Sequence, residues 1–295
     1  MDTPHGLQMS DNASERIMHI KKHLRPNTLR LTAQQFEDLV ENYTNLELER
    51  VSWLKHPVYE VKSGTPGKTF LHENGLCFSQ SLSSMLPVLI LNPQPGKKLF
   101  DCCAAPGAKT TLAAELMQNT GGILAVEKDS KRIPALVANL KRMGIINTCV
   151  WHKDARLIEP HEVFDYAIVD PPCTALGTGK KLAMLKPGLC NGINLPINNT
   201  FKVEPLLKKQ KKLLKKAWEC LKPGGILVYS TCTLTIEENE NNIKWLLETT
   251  DAMEEKIKAE DYPGAIKGQD GIGIRLDPYQ IRSEGFFIAK IKKPG

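Results

Sequence analysis

Two cysteines stand where a thiol does little for packing. Cys173 closes the run Asp170-Pro171-Pro172-Cys173, and Cys232 sits within Ser230-Thr231-Cys232-Thr233; each follows an apolar run that reads as a strand. A free cysteine is commonly a small buried hydrophobe, and that reading serves for Cys77, Cys149, Cys190 and Cys220. It fits poorly at a strand end in loop-forming sequence. If the two strands are neighbours in one sheet, both thiols reach the same edge, where a thiolate can act as a nucleophile.

A second chemical signal precedes them. The segment Asp101-Cys102-Cys103-Ala104-Ala105-Pro106-Gly107-Ala108-Lys109-Thr110 follows a strand-like run and leads into a helical one. Small residues there admit a ligand close to the backbone, and a helix start offers free N–H groups. It is not a phosphate loop of the Walker type, because Ala108 separates Gly107 from Lys109. It also lacks the three glycines of a dinucleotide fingerprint. Glu127 and Asp154 each end a further candidate strand, suited to ribose hydroxyls and an adenine amino group. A nucleoside without a pyrophosphate is the ligand this pattern favours, which suggests S-adenosylmethionine.

These groups need a scaffold that brings strand ends together. Strands are predicted over 98–103, 122–127, 149–152, 166–170, 225–230 and 286–291, with helices over 110–117, 130–143 and 206–221 between them. Alternation of this kind predicts a doubly wound α/β fold, a mostly parallel sheet covered on both faces. Ahead of it, Phe36, Leu39, Val40, Tyr43, Leu46 and Val51 recur at helical spacing over 35–54, with Thr32 as a plausible N-cap. Pro57 and the run 63–67 read as a linker. The expected organisation is a small helical N-terminal element over 1–59 and a catalytic domain over 60–295. Two stretches, 177–205 and 259–280, read as long irregular loops of the kind that carry function.

Composition narrows the setting. Lys and Arg outnumber Asp and Glu by 39 to 33, a formal charge of +6, which permits a polyanionic partner. Eight cysteines in 295 residues fall short of a disulfide-stapled secreted domain, and no C-x-x-C pair suggests zinc. The N-terminus lacks the basic and apolar regions of a signal peptide. The longest apolar run, 85–91, is interrupted by Pro87 and too short to span a bilayer. An intracellular, metal-free monomer with reduced thiols is expected.

The motifs DCCAAPGAKT, DPPC and YSTCT, with LHENGLCFSQSLSSMLP before them and EENENN and GFFIAKI after, resemble those of the Sun/nucleolar-protein family of RNA cytosine-5 methyltransferases. The likeness covers roughly three quarters of the chain. It implies a class I, Rossmann-like methyltransferase fold, S-adenosylmethionine as cofactor and RNA as substrate. It also implies that Cys232 adds to carbon 6 of cytosine, which makes carbon 5 nucleophilic, and that Cys173 assists release. The Pro-Cys motif of DNA cytosine-5 methyltransferases would instead make Cys173 the nucleophile. By the same resemblance Asp170 hydrogen-bonds the base, Lys109 orients Asp170, and Cys103, Ala104, Ala105, Pro106, Gly107, Ala108 and Lys109 line the methionine and ribose. Glu127 takes the ribose hydroxyls with Arg132 nearby, Asp154 meets the adenine, and Asp170 touches both ligands. Ala108 stands where glycine is common in the family, and Glu284 where aspartate is frequent; no role is assigned to Glu284.

RNA contact is expected from Lys208, Lys209, Lys211, Lys212, Lys215 and Lys216 on one helix, from Arg16, Lys21, Lys22, Arg25 and Arg30, and from Lys180, Lys181 and Lys186. Transfer RNA is favoured over ribosomal RNA for a compact chain. An inert RNA-binding or ribosome-assembly factor on the same fold, or an amino-group methyltransferase, is the competing reading; both thiols with Asp170 and Lys109 argue against the first, and Cys232 against the second.

Overall fold

The computed structural model describes residues 20–182 and 203–295. The N-terminal part is a four-stranded antiparallel sheet of β1 (His23–Pro26), β2 (Glu47–Arg50), β3 (Tyr59–Ser63) and β4 (Cys77–Ser79), ordered β2-β3-β1-β4. One helix, α1 (Ala33–Tyr43), follows β1, and a short turn of helix over Phe70–Glu73 precedes β4. This β-α-β-β-α-β order is the split pattern of ferredoxin-like modules.

The small helical element expected over 1–59 is therefore a mixed module among the described residues, and its sheet runs past residue 59 to Ser79. Thr32 caps α1 as expected, in a capping box with Gln35. The helix does not continue to residue 54. Thr44 turns extended and returns its hydroxyl to the Val40 carbonyl at 2.8 Å. Leu46 and Leu48 then alternate with glutamates as a strand paired to β3. Leu24, Phe36, Tyr59, Val61 and Leu71 fill the module's own core.

The rest of the chain is built on a nine-stranded sheet. Its parallel part is β5 (Lys98–Asp101), β6 (Gly122–Glu127), β7 (Thr148–His152), β8 (Phe164–Val169) and β9 (Leu221–Thr231). The antiparallel part is β10 (Met253–Glu254), β11 (Ala265–Lys267), β12 (Ile274–Leu276) and β13 (Phe286–Lys292). The order is β11-β12-β13-β9-β8-β5-β6-β7, with β10 on the other end of β13. The stretch over 259–280, read as irregular, thus holds two strands of the sheet. Helices α2 (Leu82–Leu91), α3 (Ala108–Leu116), α4 (Ile133–Met143), α5 (Val203–Cys220) and α6 (Glu240–Thr249) cover it.

Alternation along the strands divides the core in two. Leu99, Ile168, Val228 and Ile288 face one layer with Met85, Leu86 and Leu112. Phe100, Val169, Leu227, Tyr229 and Phe287 face the other with Leu213, Leu214 and Trp218. That is a doubly wound sheet, buried on both faces. Strand β5 lies between β6 and β8, so the chain reverses its winding direction beside β5, where open α/β sheets hold ligands.

Arg25 joins the module to this sheet. It is fully buried, pairs with Glu115 of α3, and donates to Thr111 Oγ1 at 2.7 Å and Gln80 Oε1 at 3.1 Å. It is thus a structural ion pair, not the phosphate contact expected of it.

Candidate active site

The carboxyl ends of β5, β8 and β9 deliver the chemistry. Their register pairs Asp101 with Ile168 and Val169 with Tyr229, so Asp170, the first residue past β8, lies beside Ser230 near the end of β9. Ser230 Oγ donates to Asp170 Oδ1 at 3.3 Å, and Lys109 Nζ donates to Oδ2 at 2.7 Å. Lys109 is held in turn by Ser84 Oγ at 3.0 Å and by the Phe286 ring, 5.3 Å from its ammonium. Lys109 and Asp170 are in contact, a pairing the family resemblance implies; Ser84, Ser230 and Phe286 carry no signal in the sequence that marks them for this place.

Beyond Asp170, the turns after β8 and β9 bring Cys173 and Cys232 together, with Sγ atoms 3.3 Å apart. Both are part-buried free thiols. The hydrogen bond shared with Cys232, and then burial, hold the Cys173 thiol far above the ordinary cysteine range.

Gly177 closes the arrangement. Its N–H donates to the Cys232 carbonyl at 2.9 Å, and its own carbonyl accepts from Gly285 N at 2.9 Å. A Cβ at this position would lie 2.2 Å from the Gly285 carbonyl oxygen, so only glycine admits the approach.

Beside Asp170 lies a cavity of about 440 Å³. Cys103, Ala104, Ala105, Pro106, Ala108 and Lys109 form one wall together with Asp101, Arg132 and Asp170. Phe78, Ser79, Gln80, Ser81, Ser84 and Glu284 form the other. Gly107 stands behind the loop with φ +100°, a conformation that favours glycine, and starts α3. Asp101 is fully buried, and burial pushes its carboxyl up to about 6 despite the Thr110 hydroxyl at 2.7 Å.

Two of the expected cofactor acids stand outside the cavity lining. Glu127 accepts from Ala105 N at 3.3 Å and Asp129 N at 2.8 Å, with Arg132 at 3.4 Å, and Arg132 also donates to the Ala105 carbonyl. Glu127 thus shapes the loop from behind. Asp154 accepts from Arg156 and, at 2.9 Å, from Lys128, and the Arg156 hydrogen bond leads in holding its carboxyl well below the usual range. The opposite wall includes Glu284, whose Oε2 accepts from Ser81 Oγ at 2.8 Å. Sequence alone assigned it nothing.

Other expectations are redistributed. Cys77 and Cys220 are buried as packing residues, but Cys149 is exposed on the edge strand β7; Cys190 lies outside the described residues. On α5, Lys208, Lys212 and Lys215 are exposed. Lys211 packs 5.3 Å over the Trp245 ring, and Lys216 pairs with Glu219 at 2.9 Å. Lys181 donates to the Thr174 carbonyl at 2.6 Å. Arg16, the Lys180 side chain, Lys186 and most of the loop expected over 177–205 lie outside the described residues.

Comparison with known proteins gives a consistent picture. The family model described as 16S rRNA methyltransferase RsmB/F matches residues 88–292. The tRNA (cytosine(49)-C(5))-methyltransferase of Pyrococcus abyssi is 34 % identical, over 96 % of this chain and 93 % of its own. Ribosomal RNA small subunit methyltransferase F of Klebsiella pneumoniae is 36 % identical over 98 % of this chain. The chain spans only 61 % of that relative's length. Among solved structures, a methyltransferase homolog protein from Pyrococcus horikoshii superposes with a TM-score of 0.76 at 31 % identity, covering 95 % of this chain and 89 % of the other.

Proposed function

The chain belongs to the RsmB/F methyltransferase family, and from that premise we propose that it methylates carbon 5 of a cytidine in transfer RNA through a covalent Cys232 adduct. The observation that carries this reading is the contact of Cys173 and Cys232 Sγ, at 3.3 Å, beside the Lys109–Asp170 pair. Amino-group methylation has no use for two thiols in contact.

The cavity fits S-adenosylmethionine: its volume is that of a small-molecule site, its loop is built of small residues, and groups of both charges face it. Cys103 to Lys109 would hold the methionine and ribose, Asp170 would border both ligands, and Glu127 would support the loop from behind through Ala105 N. When bound, the cofactor supplies an electrophilic methyl group.

The chain's residues account for the remainder. Cys232 sulfur adds to carbon 6 and shifts the ring's electron pair toward carbon 5. Asp170, steadied by Lys109 and Ser230, accepts from the cytosine amino group and fixes the base. Carbon 5 would use that pair to bond the methyl group the cofactor supplies; its proton then passes to solvent, the freed C–H pair restores the 5,6 double bond, and Cys232 departs as thiolate, with Cys173 as the neighbouring thiol that assists. A paired target must first be flipped from its stack.

Transfer RNA is favoured because the tRNA-modifying relative aligns over nearly all of both chains. Bisulfite sequencing of total RNA with and without the gene tests the proposal. Loss of methylation at one or more tRNA cytidines is expected. Loss confined to ribosomal RNA would replace the substrate, and unchanged cytosine methylation would overturn the activity.

A further inference from the structure

The run Glu237-Glu238-Asn239-Glu240-Asn241-Asn242 follows the second cysteine, and one of its carboxylates is fully buried between the two thiol turns. Glu238 Oε2 accepts from Thr174 N at 3.0 Å and from Gln210 Nε2 at 2.8 Å. Its Oε1 accepts from Thr174 Oγ1 at 2.5 Å and Thr235 Oγ1 at 3.0 Å. Thr174 directly follows Cys173, and its hydroxyl also meets that of Thr233, the residue after Cys232, at 2.8 Å. Gln210, a polar residue on the core-facing side of α5, extends the same amide to the Pro172 carbonyl at 3.0 Å. The residues on both sides of Cys173 are thereby tied, through one carboxylate, to the turn that carries Cys232.

A carboxylate taken out of water with no cation among these partners is an expensive way to fill space. Four donors compensate it, and hydrogen bonds to a charged acceptor are short and directional. What they secure is the relative placement of two turns from different strands. Displacements of about 1 Å at reacting groups cost roughly 100-fold in rate.

We propose that Glu238 is a positioning residue that clamps the Cys173 turn onto the Cys232 turn, so that the release thiol stays within reach of the covalent adduct. This rests on the reading that Cys232 forms the adduct and Cys173 assists its release. Glu238 touches neither sulfur; it acts through Thr174 and Thr233. Loss of the clamp should therefore separate release from addition, which simple destabilisation would not do.

The test compares full-length wild type, Cys232→Ala, Cys173→Ala, Glu238→Ala and Glu238→Gln on unmodified RNA substrate. Denaturing gels report the covalent adduct, and turnover is measured alongside KM for RNA and thermal melting. Glu238→Ala should lower turnover about 100-fold with little change in KM, and should accumulate adduct as Cys173→Ala does. Glu238→Gln should recover most release, because the threonine hydroxyls can turn to accept from its amide. If Cys173→Ala accumulates adduct and a folded Glu238→Ala does not, the clamp is overturned while the two-thiol reading stands. If Cys173→Ala accumulates none, the two-thiol reading falls and takes the clamp with it. Should Glu238→Ala fail to fold, Thr174→Val decides by the same gel: trapped adduct supports the clamp, and normal release overturns it.

Discussion

Cys173 and Cys232 hold their sulfurs 3.3 Å apart across 59 residues of sequence, and no bond of the chain itself requires them to meet. Parallel pairing of β8 with β9 does that, and the proposed function ranks Cys232 as the nucleophile. Trapping with 5-fluorocytosine RNA reads the ranking directly. Cys232→Ala should form no adduct, whereas Cys173→Ala should form one that persists. The opposite pattern would make Cys173 the nucleophile.

Gly177 is expected to be as sensitive as either thiol. Gly177→Ala forces a methyl group against the Gly285 carbonyl, 2.2 Å away, and the Cys232 carbonyl, 2.9 Å away. Backbone must move on both sides. A stability loss of about 1–3 kcal/mol is expected from such overpacking, together with a turnover loss of 10-fold or more at temperatures where the variant stays folded. Denaturant titration and single-turnover assays measure the two separately. Wild-type turnover in the variant would show that the Cys232 turn tolerates displacement.

The Arg25–Glu115 pair makes a prediction about assembly. Both side chains are fully buried, so Arg25→Met leaves an unpaired carboxylate inside the protein and should cost about 3–5 kcal/mol. Adding Glu115→Met should recover much of that loss. Urea midpoints of the two single variants and the double variant test it; simple additivity would mean that the pair does not couple the N-terminal module to α3.

His23 sets an acid limit. Burial pushes its imidazole down from 6.5 to about 4. Between those values the unfolded chain binds a proton that the folded chain refuses, so stability is complete above about 6.5 and falls as the pH drops toward 4. The loss approaches about 3 kcal/mol for this one group. His23→Gln should flatten that part of the melting-temperature profile relative to wild type. Parallel profiles would remove His23 as the cause.

Phosphate contact is expected from the exposed lysines of α5. Replacing Lys208, Lys212 and Lys215 with glutamine should weaken RNA binding and reduce the slope of log affinity against log salt by about 2. An unchanged slope would assign those lysines to solvation alone.

Part of this region is written in local sequence. Strand alternation, the small-residue loop before α3 and the two strand-end cysteines are legible because each depends on residue type and near-neighbour spacing, whereas Lys109 and Asp170 are marked only by the family resemblance. The same logic misled at residues 35–54, where apolar residues at helical spacing concealed a helix stop at Thr44 and a strand after it. Pairing with β3 decided that outcome, and pairing is invisible along the chain. Arg25 is basic by sequence and structural by burial. Asp154 ends the strand region as expected, yet Arg156 and Lys128 occupy it. Ser84, Ser230, Glu238 and Glu284 become meaningful only through partners far away in sequence. The opening residues therefore determined which reaction was chemically possible. Tertiary structure decided which two sulfurs meet and what holds their turns together, because contact and hydrogen bonding depend on distances that only the folded chain sets.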